Sequence, residues 1–446
     1  MSTVSARRSV GSALFPTGAG TVSLPFSFPC HSTNLSHASS ISELPAADPA
    51  ELGFDAAAFN RVPARLQQFV DRGQIAGGLV LVARHGRVAL RAAVGWRDLE
   101  TREPLATDAL FRIYSMTKPV TCAGALLLAE RGELDLDAPI ERWLPELADR
   151  QVWRETGLVA ARRSITPRDL LRHTAGLTYG PYGNTPVDQM YTRARLLAPD
   201  QTLADLLVKL QSLPLISQPG EQFQYGVATD VLGRLIEVIA RRPLGQFLHE
   251  ELFAPLGMSD TGFWVTEEKL PRLVTKYSFA EGVGLRPLER AEQSTLSQPP
   301  RLVLGGAGLV STLDDYARFC QMLLSGGRWG ERRVLRGETV AHMTTNQLVG
   351  SAYPVKVTTT PWAGVGYGLG VSVVCERLSA DSGVPVGEYG WSGSASTHFW
   401  SSPRDDLFVI VLAQVIPFSL QLEWALKPLV YQALRDRGPM TGPSLG

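Results

Sequence analysis

Apolar positions recur at recognisable spacings along this chain. Phe59, Val62, Leu66, Phe69 and Val70 fall on one helical stripe, which predicts an amphipathic first helix. The run Gly78-Leu-Val-Leu-Val-Ala83, then His85-Gly86, then residues 87–95 read as two strands joined by a tight turn, with His85 as a turn residue. From Val120 to Ala129 almost every residue is apolar or small, the pattern of a helix buried on all sides. Pro119 fits a first helical turn and Gly132 a stop, so this helix starts near Ser115.

Residues 135–261 read as mostly helical. A short helix from Arg168 ends in a glycine turn at Gly176, a second spans 203–213, and a third has Ala228, Val231, Leu232, Leu235, Ile236 and Ile239 on its apolar face. Residues 178–191 read as a loop carrying Tyr179, Tyr182 and Tyr191, and Tyr225 arrives from another loop; such loops either wall a pocket or link elements. Residues 313–324 form a helix capped by Ser311 or Thr312. Segments 366–374, 386–392, 396–401 and 407–414 are successive strands, residues 402–406 a hairpin turn, and 419–435 a last helix.

Strands at both ends thus enclose a helical middle. The economical fold is α/β of the α+β kind: an antiparallel sheet flanked by helices, plus a helical domain. The α/β part takes about residues 47–120 and 300–440, and the helical part about 120–300, within one catalytic unit over 47–440. Residues 1–46 differ, being rich in Ser, Thr, Pro and Gly, with Glu43 the first acidic residue. They read as a disordered tail, the alternative being a targeting leader.

Composition narrows the function classes. The chain has 446 residues, 44% of them hydrophobic and 19% charged, and its 43 basic residues balance 43 acidic ones. Nothing in that balance points to nucleic acid or an anionic membrane. No apolar run is long enough to span a bilayer, and the chain reads as cytoplasmic. Cys30, Cys122, Cys320 and Cys375 are scattered and read as reduced thiols. Oligomeric state is not legible.

The candidate chemistry lies at the mouth of the buried helix. Ser115 and Lys118 are three residues apart, so both point from one helix face. A serine hydroxyl becomes a nucleophile when a base takes its proton. A lysine serves as that base in its neutral form, which burial and nearby positive charge favour. The free N–H groups of a helix start can hold an oxyanion. A bare S-x-x-K is common by chance, and alone it describes a capped helix with a surface lysine.

Further stretches support the catalytic reading. Ala83-Arg-His-Gly86, Ser115-Met-Thr-Lys118, Leu170-Leu-Arg-His-Thr-Ala-Gly-Leu177, Pro219-Gly-Glu-Gln-Phe-Gln-Tyr225, Pro255-Leu-Gly-Met258 and Gly305-Gly-Ala-Gly-Leu-Val-Ser311 occur in this order. With them the chain resembles the serine β-lactamase and penicillin-binding-protein superfamily over residues 48–435. Within it, the chain is most similar to the family VIII carboxylesterases, which are themselves like class C β-lactamases.

The resemblance implies roles. Tyr225-Gly226-Val227 stands where the superfamily has Tyr-x-Asn, so Tyr225 faces Ser115 and shares proton transfer with Lys118, while Val227 replaces an amide that would bind an acylamide side chain. Trp391-Ser392-Gly393 stands where Lys-Thr-Gly or His-x-Gly lies on an edge strand, and the N–H of Ser394 joins that of Ser115 as oxyanion hole. Trp391 in place of a cation offers apolar contact rather than a partner for a carboxylate. The implied enzyme is a serine carboxylesterase on short-chain esters, with a small-molecule substrate and no metal or organic cofactor. An acyltransferase would use the same acyl-enzyme; a β-lactamase or D-stereospecific peptidase is the alternative hydrolase, and a non-catalytic scaffold the non-enzyme alternative.

Other constellations fail. There is no G-x-S-x-G, and His249-Glu250-Glu251-Leu252-Phe253 lacks the second histidine of a zinc helix. His173 reads as a structural turn residue. His398, on the strand after Gly393, either borders the cleft or, the better reading, is structural.

Overall fold

Two apolar runs from opposite ends of the chain lie side by side. Leu79–Arg84 pairs antiparallel with Leu407–Leu412, in the register Leu79 to Leu412 and Arg84 to Leu407. In the computed structural model, which describes residues 43–181, 183–357, 360–378 and 383–436, this pair is the centre of an eight-stranded sheet. The described residues belong to one compact unit.

In chain order the strands are β1 (Gly77–Arg84), β2 (Arg87–Asp98), β3 (Glu103–Pro104), β4 (Val365–Tyr367), β5 (Ser372–Val374), β6 (Tyr389–Gly393), β7 (Thr397–Ser402) and β8 (Leu407–Leu412). Their order across the sheet is β4-β5-β6-β7-β8-β1-β2-β3, and every neighbouring pair is antiparallel. Five helices matter most: α1 (Arg61–Asp71), α2 (Thr117–Glu130), α3 (Ala228–Ala240), α4 (Leu313–Leu324) and α5 (Gln421–Gln432).

All eight residues of β1 are buried because both faces of the sheet are covered. Side chains alternate across a strand, so Leu79, Leu81 and Ala83 join the core with α2 and α4, while Val80 and Val82 join the one with α1 and α5. Each such aliphatic side chain contributes about 1.5–3 kcal/mol on burial. That double cover is why β1 and β8 read as continuous apolar runs rather than alternating ones.

The mixed fold with its antiparallel sheet and flanking helices follows the expectation, and α4 has the expected bounds. Several details differ. Residues 366–374 are two strands, not one: β4 and β5 fold back at Gly370, which takes φ +105° and sits so close to α2 that a Cβ there would lie 2.7 Å from Cys122. The stretch read as a loop to Tyr191 turns helical at Pro186–Ala194, since Thr185 and Asp188 form a reciprocal capping box with Pro186 in the first turn. The mostly helical middle holds a hairpin, Gln151–Arg154 with Gly157–Ala160. A second hairpin, Lys276–Ala280 with Gly284–Glu289, pairs through its first strand with Val415–Ile416.

The first described residues already pack. Val88 N–H donates to Pro45 O at 2.8 Å, Ala47 N–H to Val88 O at 3.0 Å, and Leu44 rests against the core. The leading segment read as disordered lies, through residue 42, outside the described residues, as does Tyr182. No helix among the described residues is long and apolar enough to cross a membrane.

Candidate active site

The nucleophile turn is built by backbone held from several sides. Phe111–Arg112 pairs with Val310–Ser311 and delivers the chain to Tyr114, whose φ of +45° is left-handed. Such a conformation in a bulky residue costs about 1–3 kcal/mol and persists only where its surroundings enforce it. Here Ile113 N–H donates to Leu309 O at 3.0 Å, Thr397 Oγ1 donates to Ile113 O at 3.2 Å, and Tyr316 Oη donates to Met116 O at 3.0 Å. Ser115 lies in a 3₁₀ turn, Tyr114–Met116, and α2 begins just after it at Thr117. The helix therefore starts two residues later than its sequence suggests, and Ser115 makes no side-chain cap.

Ser115 Oγ, half-buried, receives two hydrogen bonds. Tyr225 Oη lies 2.8 Å away and Lys118 Nζ 3.1 Å away. Tyr225 comes from the loop before α3, where Gly226 passes so near the Leu177 carbonyl that a Cβ there would lie 2.2 Å from it. Lys118 is fully buried and donates also to Tyr179 Oη at 2.9 Å and to Gly306 O at 2.8 Å. Its ammonium stands 4.6 Å from the ring centroid of Tyr225 and 5.3 Å from that of Tyr179. Every oxygen that Lys118 bonds is formally neutral, and among the described residues no carboxylate pairs with it.

Two further groups shape this environment. Gly306 N–H donates to Asp230 Oδ1 at 2.8 Å, so one peptide-loop residue joins the buried lysine to a buried carboxyl. Burial pushes the Asp230 carboxyl up to about 6, against the opposing pull of the Lys118 charge and the Gly306 N–H. His173 lies behind Tyr225 with ring centroids 5.1 Å apart; burial first, then the Lys118 charge, holds it well below the usual imidazole range. It stays neutral and fills space, as its reading as a structural residue implies.

The wall opposite is β6. Trp391 is 6% exposed, with its ring centroid 5.5 Å from Tyr225, 5.1 Å from Tyr367 and 6.0 Å from Trp362. β6 is not an edge strand, because β5 pairs with Tyr389 and Gly390; that pairing stops there and leaves Trp391–Gly393 open on the β5 side. Gly393 passes against the nucleophile turn: a Cβ would lie 2.3 Å from both Ile113 O and Thr397 Oγ1. Any other residue there would push strand and nucleophile apart. Ser394 is half-buried in the turn that follows.

Ser115, Lys118 and Tyr225 thus meet at bonding distance, and Trp391 and Gly393 flank them. Val227 is fully buried at the position just before α3, among the core side chains. His398 is fully buried on β7, and its ring Nδ1 contacts Ser392 and Glu423. Two participants escaped the sequence reading. Tyr179 was visible only as one tyrosine in an aromatic loop. Gly306 belongs to the glycine-rich run 305–308, which wraps the start of α2 by accepting from Lys118 and, through Gly305 O, from Thr121 Oγ1 at 2.7 Å. That density of glycines was the available signal for close backbone approach. No group of three His, Cys, Asp or Glu among the described residues is placed to hold a metal.

The class of proteins with this fold is one of hydrolases and acyl-transferring enzymes. The chain belongs to the beta-lactamase family, whose sequence model matches residues 62–425. It is 36% identical over 366 residues to Protein Rv1367c of Mycobacterium tuberculosis, covering 79% of this chain and 89% of that one. It is 34% identical over 286 residues to Esterase EstB of Burkholderia gladioli, covering 61% of this chain and 71% of that one. The solved structure of EstCE1, described as a hydrolase with promiscuous acyltransferase activity, superposes with a TM-score of 0.70 at 28% identity, covering 84% of this chain and 99% of that one. The family therefore includes relatives of both hydrolytic and acyl-transferring kinds.

Proposed function

We propose that the protein is a serine carboxylesterase acting on short-chain esters through an acyl-enzyme on Ser115. The observation that carries this reading is the double hydrogen bond at Ser115 Oγ, from Tyr225 Oη and from a fully buried Lys118 Nζ. The likeness to Esterase EstB supports the ester as substrate class.

Attack by Ser115 Oγ on the ester carbonyl forms the C–O bond of a tetrahedral intermediate, and the hydroxyl proton passes to the Lys118–Tyr225 pair. In the reactive form the pair holds one proton fewer than its fully protonated state. The backbone N–H groups of Ser115 and Ser394 hold the oxyanion in this proposal, and removal of one such donor from a comparable site costs about 10²–10³ in kcat. As the intermediate collapses, the bond to the alkoxy oxygen breaks and the pair returns the proton to the departing alcohol. Water then adds to the acyl carbonyl, giving its proton to the pair, and the acid leaves as Ser115 recovers its hydrogen.

A second reading shares the acyl-enzyme and replaces water with an alcohol or amine acceptor. It is favoured by the likeness to EstCE1, whose description includes acyl transfer. A side-by-side assay separates the readings: a short p-nitrophenyl ester with and without an added alcohol, a chromogenic cephalosporin, and a D-alanyl peptide, with a serine-directed phosphonate as control. Hydrolysis of the ester with labelling of Ser115 is the expected result. Turnover of the cephalosporin in preference to the ester would replace this reading with a β-lactamase.

A further inference from the structure

Side chains alternate across β6, so the strand whose front presents Trp391 to Tyr225 turns Ser392 to the back. There Ser392 meets its cross-strand partner His398 and, from α5, Glu423. Ser392 Oγ is 2.9 Å from His398 Nδ1 and 3.4 Å from Glu423 Oε2, and His398 Nδ1 is 3.1 Å from that same carboxylate oxygen. Glu423 can only accept, and its Oε2 is within reach of both other groups. With its hydrogen on Nδ1, His398 donates between Ser392 Oγ and Glu423 Oε2, and the serine hydroxyl donates to Glu423. Glu423 is itself held by Lys427 at 2.7 Å.

The segment so gripped has little else to hold it on its open side. β5 stops pairing at Gly390, yet Gly393 must lie against Ile113 O with no room for a side chain. This arm next to the nucleophile is therefore held by its pairing with β7, by the rings around Trp391 and by the contacts behind it. We propose that Ser392, His398 and Glu423 form a hydrogen-bonded clamp that positions the Trp391–Ser394 arm against Ser115. They are positioning residues for acyl transfer, and none of them touches the reacting atoms. This rests on the reading above in which the Ser394 N–H holds the oxyanion. Donors of that kind act only when held within about 0.5 Å of their productive place.

The test uses the full chain, a short p-nitrophenyl ester for kcat and KM, and a fluorophosphonate for the rate of labelling at Ser115. Ser392→Ala removes one oxygen from a half-buried strand position and leaves backbone pairing intact, so it reports even where His398→Leu does not fold. Both are expected to lower kcat about ten- to a hundredfold, the scale of a small misplacement of catalytic groups. KM should stay within about threefold, and phosphonate labelling should slow in parallel. Ser392→Thr keeps the hydroxyl, and His398→Asn places an amide N–H where Nδ1 donates, so each should recover most of the rate. Folded Ser392→Ala with kcat within twofold of wild type overturns the clamp, as does a rise in KM at constant kcat. Wild-type protein that neither hydrolyses the ester nor takes the label at Ser115 overturns the acyl-enzyme reading itself, and the clamp with it.

Discussion

Two lysines lie on opposite sides of β6, and they are held in opposite ways. Lys427 on α5 lies between Glu388 and Glu423, each 2.7 Å away, and 4.9 Å from the ring centroid of Trp400. Burial works against its charge, but the two carboxylates more than offset this and hold it above the usual lysine range. Lys118 on α2 has a serine hydroxyl, a tyrosine hydroxyl and a peptide carbonyl instead. A carboxylate partner fixes a proton on lysine; neutral partners leave it free to move. The first arrangement suits structure and the second suits proton transfer. Burial of a lysine thus says little about its role until the charge of its partners is known.

The largest expected effect breaks the comparison at its catalytic end. Ser115→Ala should abolish ester hydrolysis, and Lys118→Arg should lose several orders of magnitude, nearly as much as Lys118→Ala, because arginine does not surrender its proton. Steady-state kinetics on folded protein checks both. Retention of most of the rate in Lys118→Arg would leave Lys118 a merely electrostatic role.

At the structural end, Lys427→Met strands two carboxylates, the buried Glu388 and the half-buried Glu423. Breaking a buried pair by removing one partner costs about 3–5 kcal/mol, and urea unfolding should read a loss of that order. Its effect on kcat should be far smaller than that of Lys118→Arg. A Lys427→Met protein as stable as wild type would show that the ion cluster does not hold α5 to the sheet.

Asp230 sharpens the contrast through pH. Its carboxyl titrates at about 6 in the folded protein against an ordinary 3.8. Folded protein therefore holds more protons between those values, and stability falls as pH rises through that window. Above it the penalty is complete, about 3 kcal/mol at most by linkage. Asp230→Asn keeps an acceptor for the Gly306 N–H and removes the charge. It should raise Tm near pH 7 and leave Tm nearly unchanged near pH 4. Equal shifts at both values would show that the charge is not the cause.

The smallest effect concerns the wall between the two lysines. Trp391→Lys places a cation on the front of β6, where a carboxylate-bearing substrate would meet it. The ratio of kcat/KM for a cephalosporin to that for an ester should rise about tenfold, the scale of one charged hydrogen bond. An unchanged ratio would mean that the position 391 side chain does not reach the substrate.

Much of the framework was legible because its causes are local. The α4 bounds follow from a Thr312 cap and an unbroken helical stripe, and β1 and β8 from apolar runs ended by turns. The helix at Pro186–Ala194 was also local, but its signal is the capping pair Thr185 and Asp188, while the preceding glycines and prolines dominate composition. The division of 366–374 into β4 and β5 is different. Gly370 turns there against α2; Gly366, Gly368 and Gly370 allow so close an approach, but the helix that Gly370 meets lies far off in the chain.

The sequence by itself determined the α+β architecture, the buried helix with Ser115 and Lys118 at its mouth, and, through ordered motifs, Tyr225 and the Trp391–Ser394 arm. Only the tertiary structure decided which neutral groups surround Lys118, that Val227 belongs to the core, that β6 is internal with one open stretch, and that Ser392 and His398 meet Glu423. The physical reason is distance along the chain. Periodicity and capping act over a few residues, whereas Tyr179, Tyr225 and Gly306 reach Ser115 and Lys118 from 61 to 188 positions away. Contacts of that span are set by how the sheet and helices pack, and packing is a property of the whole fold.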